Sequence, residues 1–190
     1  MSVAHSPVPK RATLDDLARV EGKAELIAGR IVPMSPTGHY PSVVAGEIYS
    51  SLKEYARATG RGVAYTDGIG FAVPELTSGR ESFSPDASYY VGPHPAKGMD
   101  FVPGAPNFAV EVRSKSDYGP AAEREYAAKR RDYFEAGTRV VWDVDLDGEC
   151  VRKYVPETPE SPIVFGRGQE ADAEPAAPGW RVTVDRLFDA

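Results

Sequence analysis

The chain has 190 residues, of which 42% are hydrophobic and 26% are charged, a mixture typical of one globular domain with a sizeable core. This composition excludes a fully disordered chain. The 28 acidic residues outnumber the 22 basic ones, and the formal net charge of −6 excludes a protein held on nucleic acid by bulk positive charge.

The single cysteine and the hydropathy pattern indicate the compartment. Cys150 has no partner for a disulfide or a cysteine zinc cluster within the chain, which favours a reducing, intracellular setting. No apolar run reaches the roughly 18 residues of a transmembrane helix, and no signal-peptide core is present at the N-terminus. We therefore expect a cytoplasmic protein without membrane contact, with a flexible lead-in over residues 1–12 and a single domain over residues 13–190.

The first third of the chain predicts a short helix, a β-hairpin and a long helix. Thr13 can cap the short helix, and Ala28-Gly29 can form the turn of a hairpin between residues 25–27 and 30–34. A loop containing His39 follows over residues 35–41. Apolar residues then recur at helical spacing, with a glycine just past the end, so we predict a helix over residues 42–59.

The rest of the chain predicts strands around a second helix. A proline near the start and a glycine after the end mark that helix over residues 120–136. Residues 156–178 contain five prolines and carry a net charge of −4, so most of this segment is predicted as loop. The predicted strands cover residues 62–65, 69–73, 85–91, 107–113, 139–144, 150–155, 163–165 and 180–184. Residues 150–155 are expected to pair with residues 139–144 through the Asp147-Gly148 turn, and Leu187-Phe188 to dock on the core.

This order of elements predicts a mixed α/β layer architecture, with helices flanking a central sheet. The chain has no glycine-rich phosphate loop of Walker type and no GxGxxG motif after a strand. Nucleotide-dependent enzymes of those kinds are therefore disfavoured.

Three charged residues stand where a buried sheet and its covering helix should be apolar. Asp86 directly follows Pro85 at the start of a predicted strand, and Glu111 lies within the apolar run Phe108-Ala109-Val110-Glu111-Val112. A buried carboxylate is costly unless it is paired or binds a metal. Lys129 follows on the next helix, with Glu125 four residues before it on the same face.

This residue set is suited to metal-assisted hydrolysis of a phosphodiester. Two carboxylates at neighbouring strand ends can bind Mg²⁺, and the backbone carbonyl of Val112 can add a ligand. Such an ion lowers the pKa of a bound water, and a nearby lysine can stabilise the developing oxyanion.

Simpler interpretations stay open at the level of single residues. Glu125 and Lys129 can form an exposed ion pair, and Asp86 can be a turn acid. Glu111 can pair with Arg113 or Lys115 at the strand end.

The order and spacing of these pieces resemble a known family. They comprise Glu25-Leu26-Ile27-Ala28-Gly29-Arg30-Ile31, Met34-Ser35-Pro36 with His39, Pro85-Asp86, the segment from Phe108 to Ser114, Lys129 with Tyr133, Ala136-Gly137, Val141-Trp142 and Asp143. Across residues 14–188 the chain is similar to the bacterial restriction endonuclease family nicknamed "Uma-two", within the PD-(D/E)XK nuclease superfamily. The resemblance implies a restriction-endonuclease-like core with a mixed central sheet.

The resemblance also implies roles for individual residues. Asp86 and Glu111 would be the metal ligands, and Lys129 the catalytic lysine. The superfamily places its lysine two residues after the acid, where this chain has Arg113, whereas the family resembles a variant with that lysine on the following helix. Arginine is a poor proton acceptor, so we assign the role to Lys129.

Four further residues are accessory candidates. Arg113 can stabilise a phosphate, or pair with Glu111 at the strand end. Glu125 would be an acidic companion of the lysine. Glu25 can supply a further acid near the metal or be a hairpin edge residue. His39 can contact phosphate or cap a loop.

The sequence therefore predicts a metal-dependent endonuclease that hydrolyses DNA through a metal-activated water, with Mg²⁺ as cofactor and Mn²⁺ as a possible substitute. We expect a homodimer, because duplex cleavage often needs two sites. The alternative is a nuclease-fold binding or assembly module with weak or no catalysis. Residues 113–131 carry a net charge of +3, which can attract phosphate locally.

Overall fold

The computed structural model describes residues 11–189, and the predicted lead-in falls mostly outside them. Within the described part, Arg11 pairs with Glu75 and Glu81, and the Ala12 N–H donates to the Gly29 carbonyl at 2.8 Å. The helices are α1 (Leu14–Leu17), α2 (His39–Thr59), α3 (Pro120–Glu135) and α4 (Val184–Phe188). The strands are β1 (Ala24–Ile27), β2 (Arg30–Pro33), β3 (Val63–Thr66), β4 (Phe71–Ala72), β5 (Ser82–Phe83), β6 (Ala87–Tyr90), β7 (Val102–Pro103), β8 (Phe108–Val112), β9 (Val140–Asp145), β10 (Cys150–Tyr154), β11 (Ile163–Phe165), β12 (Glu170–Asp172) and β13 (Arg181–Thr183).

A six-stranded mixed sheet forms the centre, in the order β11-β10-β9-β8-β6-β3. Strands β8 and β9 are parallel, because α3 connects them across one face, and every other pair in this sheet is antiparallel. The sheet places β8 between β6 and β9, with Glu111 in register with Asp143. The predicted α/β architecture is confirmed.

Helix α2 covers one face of the sheet. Its side chains Val44, Ile48 and Leu52 have no exposed surface, as their helical spacing predicts, and they share a core cluster with Phe108 and Trp142. The helix begins three residues earlier than predicted. Pro41 lies in its first turn, where the missing N–H of proline costs no hydrogen bond, so residues 39–41 are helical rather than loop.

Helix α3 covers the opposite face. It begins with Pro120 and is followed by Gly137 in a left-handed conformation, as predicted. Tyr133 is fully buried and stacks on Phe83 with ring centroids 4.1 Å apart, in a second core cluster that includes Val141. Side chains of β8 and β9 that alternate toward this helix therefore lie beneath it.

Small sheets at the periphery differ from the prediction. The strands predicted on either side of the Asp67-Gly68 turn belong to different sheets, because β3 joins the central sheet whereas β4 pairs with β5 and β7. Strand β12 was missed, since Glu-Ala-Asp is too short and polar to stand out, and it pairs with β13. The β1–β2 hairpin, the β9–β10 hairpin and the docking of Leu187 and Phe188 are confirmed.

None of the helices within residues 11–189 is both long enough and apolar enough to cross a lipid bilayer.

The packing of α2 predicts the effect of a cavity. Leu52→Ala removes a fully buried side chain between α2 and the sheet, so we expect the free energy of unfolding to fall by about 2–5 kcal/mol. Glu54→Ala, at an exposed position of the same helix, should change it by less than about 0.5 kcal/mol. Urea denaturation of both variants measures the difference, and equal effects would contradict this description of the core.

Candidate active site

Asp86, Glu111 and Lys129 come together at one end of β6 and β8. The Lys129 Nζ lies 2.9 Å from the Glu111 carboxylate. The Asp86 backbone N–H donates to the Val110 carbonyl at 3.0 Å, and its Oδ2 accepts the Val112 N–H at 2.8 Å. These two bonds flank Glu111 in the sequence, so they hold Asp86 beside it. The Val112 N–H thus orients Asp86. The role of the Val112 carbonyl as a metal ligand stays a prediction.

The buried position of Glu111 requires compensation. Because β8 is paired on both sides and covered by α3, the Glu111 side chain is only 10% exposed. Lys129 and Tyr133, four residues apart on α3, both reach it, and the Tyr133 hydroxyl donates to Oε1 at 2.6 Å. A carboxylate in such a place is stable only with these charged and hydrogen-bonded partners.

Glu25 on β1 belongs to the same cluster. It lies 3.2 Å from the Lys129 Nζ, accepts the Ser84 N–H at 3.0 Å and pairs with Arg80. The Arg80 Nε in turn donates to Asp132 at 2.8 Å. The structure therefore joins this accessory candidate to the predicted lysine, and the hairpin position is what carries Glu25 inward.

Lys23 is a site residue that the sequence reasoning missed. Its Nζ lies 2.8 Å from Asp86 Oδ1 and 2.6 Å from Asp67 Oδ1, and its side chain is 14% exposed. Lys23 stands two residues before Glu25, which is the spacing of one strand face, so alternation was the available signal. Arg80 lies in a loop without periodicity and offered no such signal.

These contacts form two chains of ion pairs that meet at Asp86 and Glu111. One chain joins Lys23 to two acids, and the other joins Lys129 and Arg80 to three. We call the whole set the carboxylate network: Glu25, Asp67, Asp86, Glu111 and Asp132, with Lys23, Arg80 and Lys129. With every member ionised, five acids against three cations leave a net charge of −2.

The pKa directions follow from burial and from the charges of the neighbouring side chains. Burial raises the pKa of Glu111, and the neighbouring Asp86 and Glu25 charges add to that effect despite Lys129. Burial also opposes ionisation of Glu25, but Lys129 and Arg80 outweigh it and hold its pKa below the ordinary value. Burial would lower the pKa of Lys129, yet Glu111 and Glu25 raise it above the ordinary value, so Lys129 is an ammonium at neutral pH.

The donor set fits a hard divalent cation. No three His, Cys, Asp or Glu side chains in residues 11–189 form a ready metal-binding group. Mg²⁺, however, is commonly bound through one or two carboxylates with waters completing its shell, and Asp86 and Glu111 supply that many. The net negative charge of the carboxylate network matches the charge such an ion would bring.

Arg113 pairs with two acids that lie outside the carboxylate network. Its Nε and Nη2 each bond Asp143 at 2.7 Å in a bidentate pair, and it also pairs with Glu123. The side chain is 2% exposed, and its guanidinium lies 5.6 Å from the centre of the Tyr118 ring and 4.9 Å from that of Tyr126. Since Lys129 contacts Glu111 and Arg113 contacts Asp143, the geometry favours the lysine for the site.

Two accessory candidates are not brought to the carboxylates. Glu125 is exposed on α3 and has no hydrogen bond or ion pair within residues 11–189, while Tyr126 beside it turns toward Arg113. His39 is the exposed first residue of α2 and makes no side-chain contact with the carboxylate network in the described part of the chain.

The comparisons with known proteins decide the family. The model of the Uma2 family, described as "Putative restriction endonuclease", matches residues 12–185. The chain belongs to the Uma2 family. A crystal structure from Anabaena variabilis ATCC 29413, described as "a putative nuclease belonging to DUF820", shares the fold of this Uma2 protein with a TM-score of 0.72 and 19% sequence identity. That match covers 93% of this chain and 97% of the other, which confirms the predicted restriction-endonuclease-like core. No curated protein matches the chain.

The raised pKa of Glu111 predicts a stability that depends on pH. Because the folded protein holds the Glu111 proton more tightly than the unfolded chain, the contribution of this group is complete below about pH 4.5 and is lost as the pH rises through the raised pKa. In metal-free buffer at pH 7, Glu111→Gln should therefore unfold at higher denaturant than the parent protein. Each unit of pKa elevation corresponds to about 1.4 kcal/mol.

Urea denaturation between pH 4.5 and 8 measures this effect, with Glu54→Gln as the exposed control. The advantage of Glu111→Gln should shrink toward the acidic end of the series. A variant that is less stable at every pH by a constant amount would contradict the charge assignment.

Proposed function

We propose that this Uma2 protein is a Mg²⁺-dependent endonuclease that hydrolyses phosphodiester bonds of DNA, with Mn²⁺ as a functional substitute. The observation that carries the proposal is the convergence of the Lys129 ammonium with Glu111, beside an Asp86 that the Val112 N–H holds in place. The family to which the chain belongs supports the same class of reaction.

Asp86 and Glu111 are the residues that would hold the cation, with the Val112 carbonyl as a further ligand. When bound, a divalent cation supplies Lewis acidity at the scissile phosphate and lowers the pKa of water. Tyr133 fixes the Glu111 carboxylate by a hydrogen bond to Oε1, and the Val112 N–H fixes Asp86, so both donors are oriented before a substrate arrives.

Lys129 acts as a fixed positive charge. With Glu111 and Glu25 holding its pKa high, it keeps its protons on Nζ at neutral pH, so we assign it hydrogen-bond donation. The proton acceptance for which the sequence favoured a lysine over Arg113 is not part of this role. An ammonium preorganised at this point stabilises the negative charge that develops on a pentavalent phosphate. Glu25 is thereby a positioning residue for Lys129.

DNA would meet a modest basic surface. Of the six basic residues between 113 and 131, Arg113 and Arg130 are buried and Lys129 lies in the site. Lys115, Arg124 and Arg131 are the exposed ones. A few phosphate contacts on a protein of net charge −6 imply weak binding that falls with rising salt and depends on the metal.

A homodimer would give one site for each strand of a duplex, and the free thiol of Cys150 suits a reducing cytoplasm. On these grounds we propose a homodimer and a cytoplasmic location. Sedimentation equilibrium with and without duplex DNA tests the dimer.

The central test is cleavage of plasmid DNA with Mg²⁺ by site variants. Asp86→Asn, Glu111→Gln and Lys129→Met should each reduce the rate by at least roughly 100-fold, because each removes a ligand or a charge at the phosphate. Glu54→Gln, on the exposed side of α2, is the matched control. Circular dichroism melts establish that each variant is folded.

Full Mg²⁺-dependent activity of Asp86→Asn would overturn the assignment. Cleavage of RNA of the same sequence, measured in parallel, shows whether the substrate is DNA or RNA. Isothermal titration with Mg²⁺ and Mn²⁺ addresses the alternative of a binding or assembly module. A folded protein that binds DNA but takes up neither ion would establish that alternative.

A further inference from the structure

Lys23 occupies the oxygen of Asp86 that a metal ion would need. Asp86 Oδ2 is already bonded to the Val112 N–H at 2.8 Å, and the Lys23 Nζ takes Oδ1 at the same distance. Both oxygens of this carboxylate therefore have a donor. A divalent cation coordinated at Oδ1 would stand next to an ammonium, and two like charges so close in a buried site repel strongly.

Lys23 has a second acid to which it can withdraw. Asp67 Oδ1 lies 2.6 Å from its Nζ, and the same oxygen accepts the Gly68 N–H at 2.8 Å, which fixes Asp67 in the turn after β3. Gly68 has a φ of +88°, a conformation that favours glycine. Asp67 is 41% exposed, so an ammonium held by it alone is also partly hydrated.

The surroundings of Lys23 leave room for this movement. Lys23 lines a cavity of about 130 Å³ together with Gly68, Ser84 and Phe101. Lys129 differs, because its second acid, Glu25, is buried and already bonded to Arg80 and Ser84.

Resting on the proposed metal site, we propose that Lys23 is the resident counter-ion of Asp86, that it yields Asp86 Oδ1 to an incoming divalent cation, and that Asp67 receives its ammonium. Lys23 and Asp67 are then positioning residues that set the affinity for the cation without touching it. The metal-free protein keeps Asp86 neutralised, and the cation binds only by displacing Lys23.

Isothermal titration of Mn²⁺ into the metal-free protein tests this exchange. Lys23→Met removes the competitor, so Mn²⁺ should bind roughly tenfold more tightly, a coupling of ordinary size between two sites. Asp67→Asn removes the place that receives the ammonium, so Mn²⁺ should bind several-fold more weakly. Lys97→Met, at an exposed loop position, should leave the affinity unchanged.

The double variant Lys23→Met/Asp67→Asn separates displacement from a general electrostatic field. If Asp67 acts through Lys23, the Asp67→Asn change should have no effect on Mn²⁺ affinity once Lys23 is absent. An undiminished effect of Asp67→Asn in the Lys23→Met background would overturn the proposal, as would an unchanged affinity of Lys23→Met alone.

Asp86→Asn distinguishes failure of this inference from failure of the metal site itself. Loss of Mn²⁺ binding in Asp86→Asn with no effect of Lys23→Met would leave the site intact and refute the counter-ion role alone. Mn²⁺ binding that is unchanged by Asp86→Asn would refute both the proposed metal site and the counter-ion role of Lys23. Melting temperatures without metal should fall for Lys23→Met, because Asp86 then loses its partner, and should recover with Mn²⁺.

Discussion

The structure around the candidate site depends on the burial of one carboxylate. Glu111 lies in the central strand β8, with strands on both sides and α3 above, at a position where an apolar residue would stabilise the sheet. Lys129 and Tyr133 compensate the charge, and they can do so because i and i+4 positions of α3 face the same point. The compensation is incomplete, since the pKa of Glu111 stays raised. A site that keeps unneutralised charge in its interior sacrifices stability for function.

The partners of Asp143 explain why the excess negative charge stays at Glu111. Asp143 is in register with Glu111 on the adjacent strand and would add a third acid to the site. Arg113 takes both of its oxygens in a bidentate pair, and Arg130 lies 3.9 Å away. Asp143 and Glu111, on neighbouring strands, thus pair with different cations, and only Glu111 remains incompletely neutralised.

The sequence was informative where a pattern is local. Helical spacing in α2, the proline and glycine at the ends of α3, and the hairpin turns predicted elements that the structure contains. Glu111 was detectable because a charge interrupts an apolar strand. Arg80 was not found, since a loop residue acquires its partners only when distant strands meet, and no periodicity marks it. Lys23 was missed although it lies two residues before Glu25, because nothing in the sequence places Asp86 and Asp67 beside it. The short strand β12 was not predicted for the same reason, because its pairing with β13 is a tertiary contact.

The position of the lysine follows from what Arg113 does. In the superfamily pattern that the sequence resembles, the residue two positions after the acid would point to the same face as Glu111 and serve the site. Here that residue joins β8 to β9 through Asp143 and to the start of α3 through Glu123. These two ion pairs of Arg113 hold α3 over the sheet, and α3 then brings Lys129 to Glu111. An arginine directly after strand β8 and a lysine on α3 are therefore one arrangement, in which Arg113 positions the helix that carries Lys129.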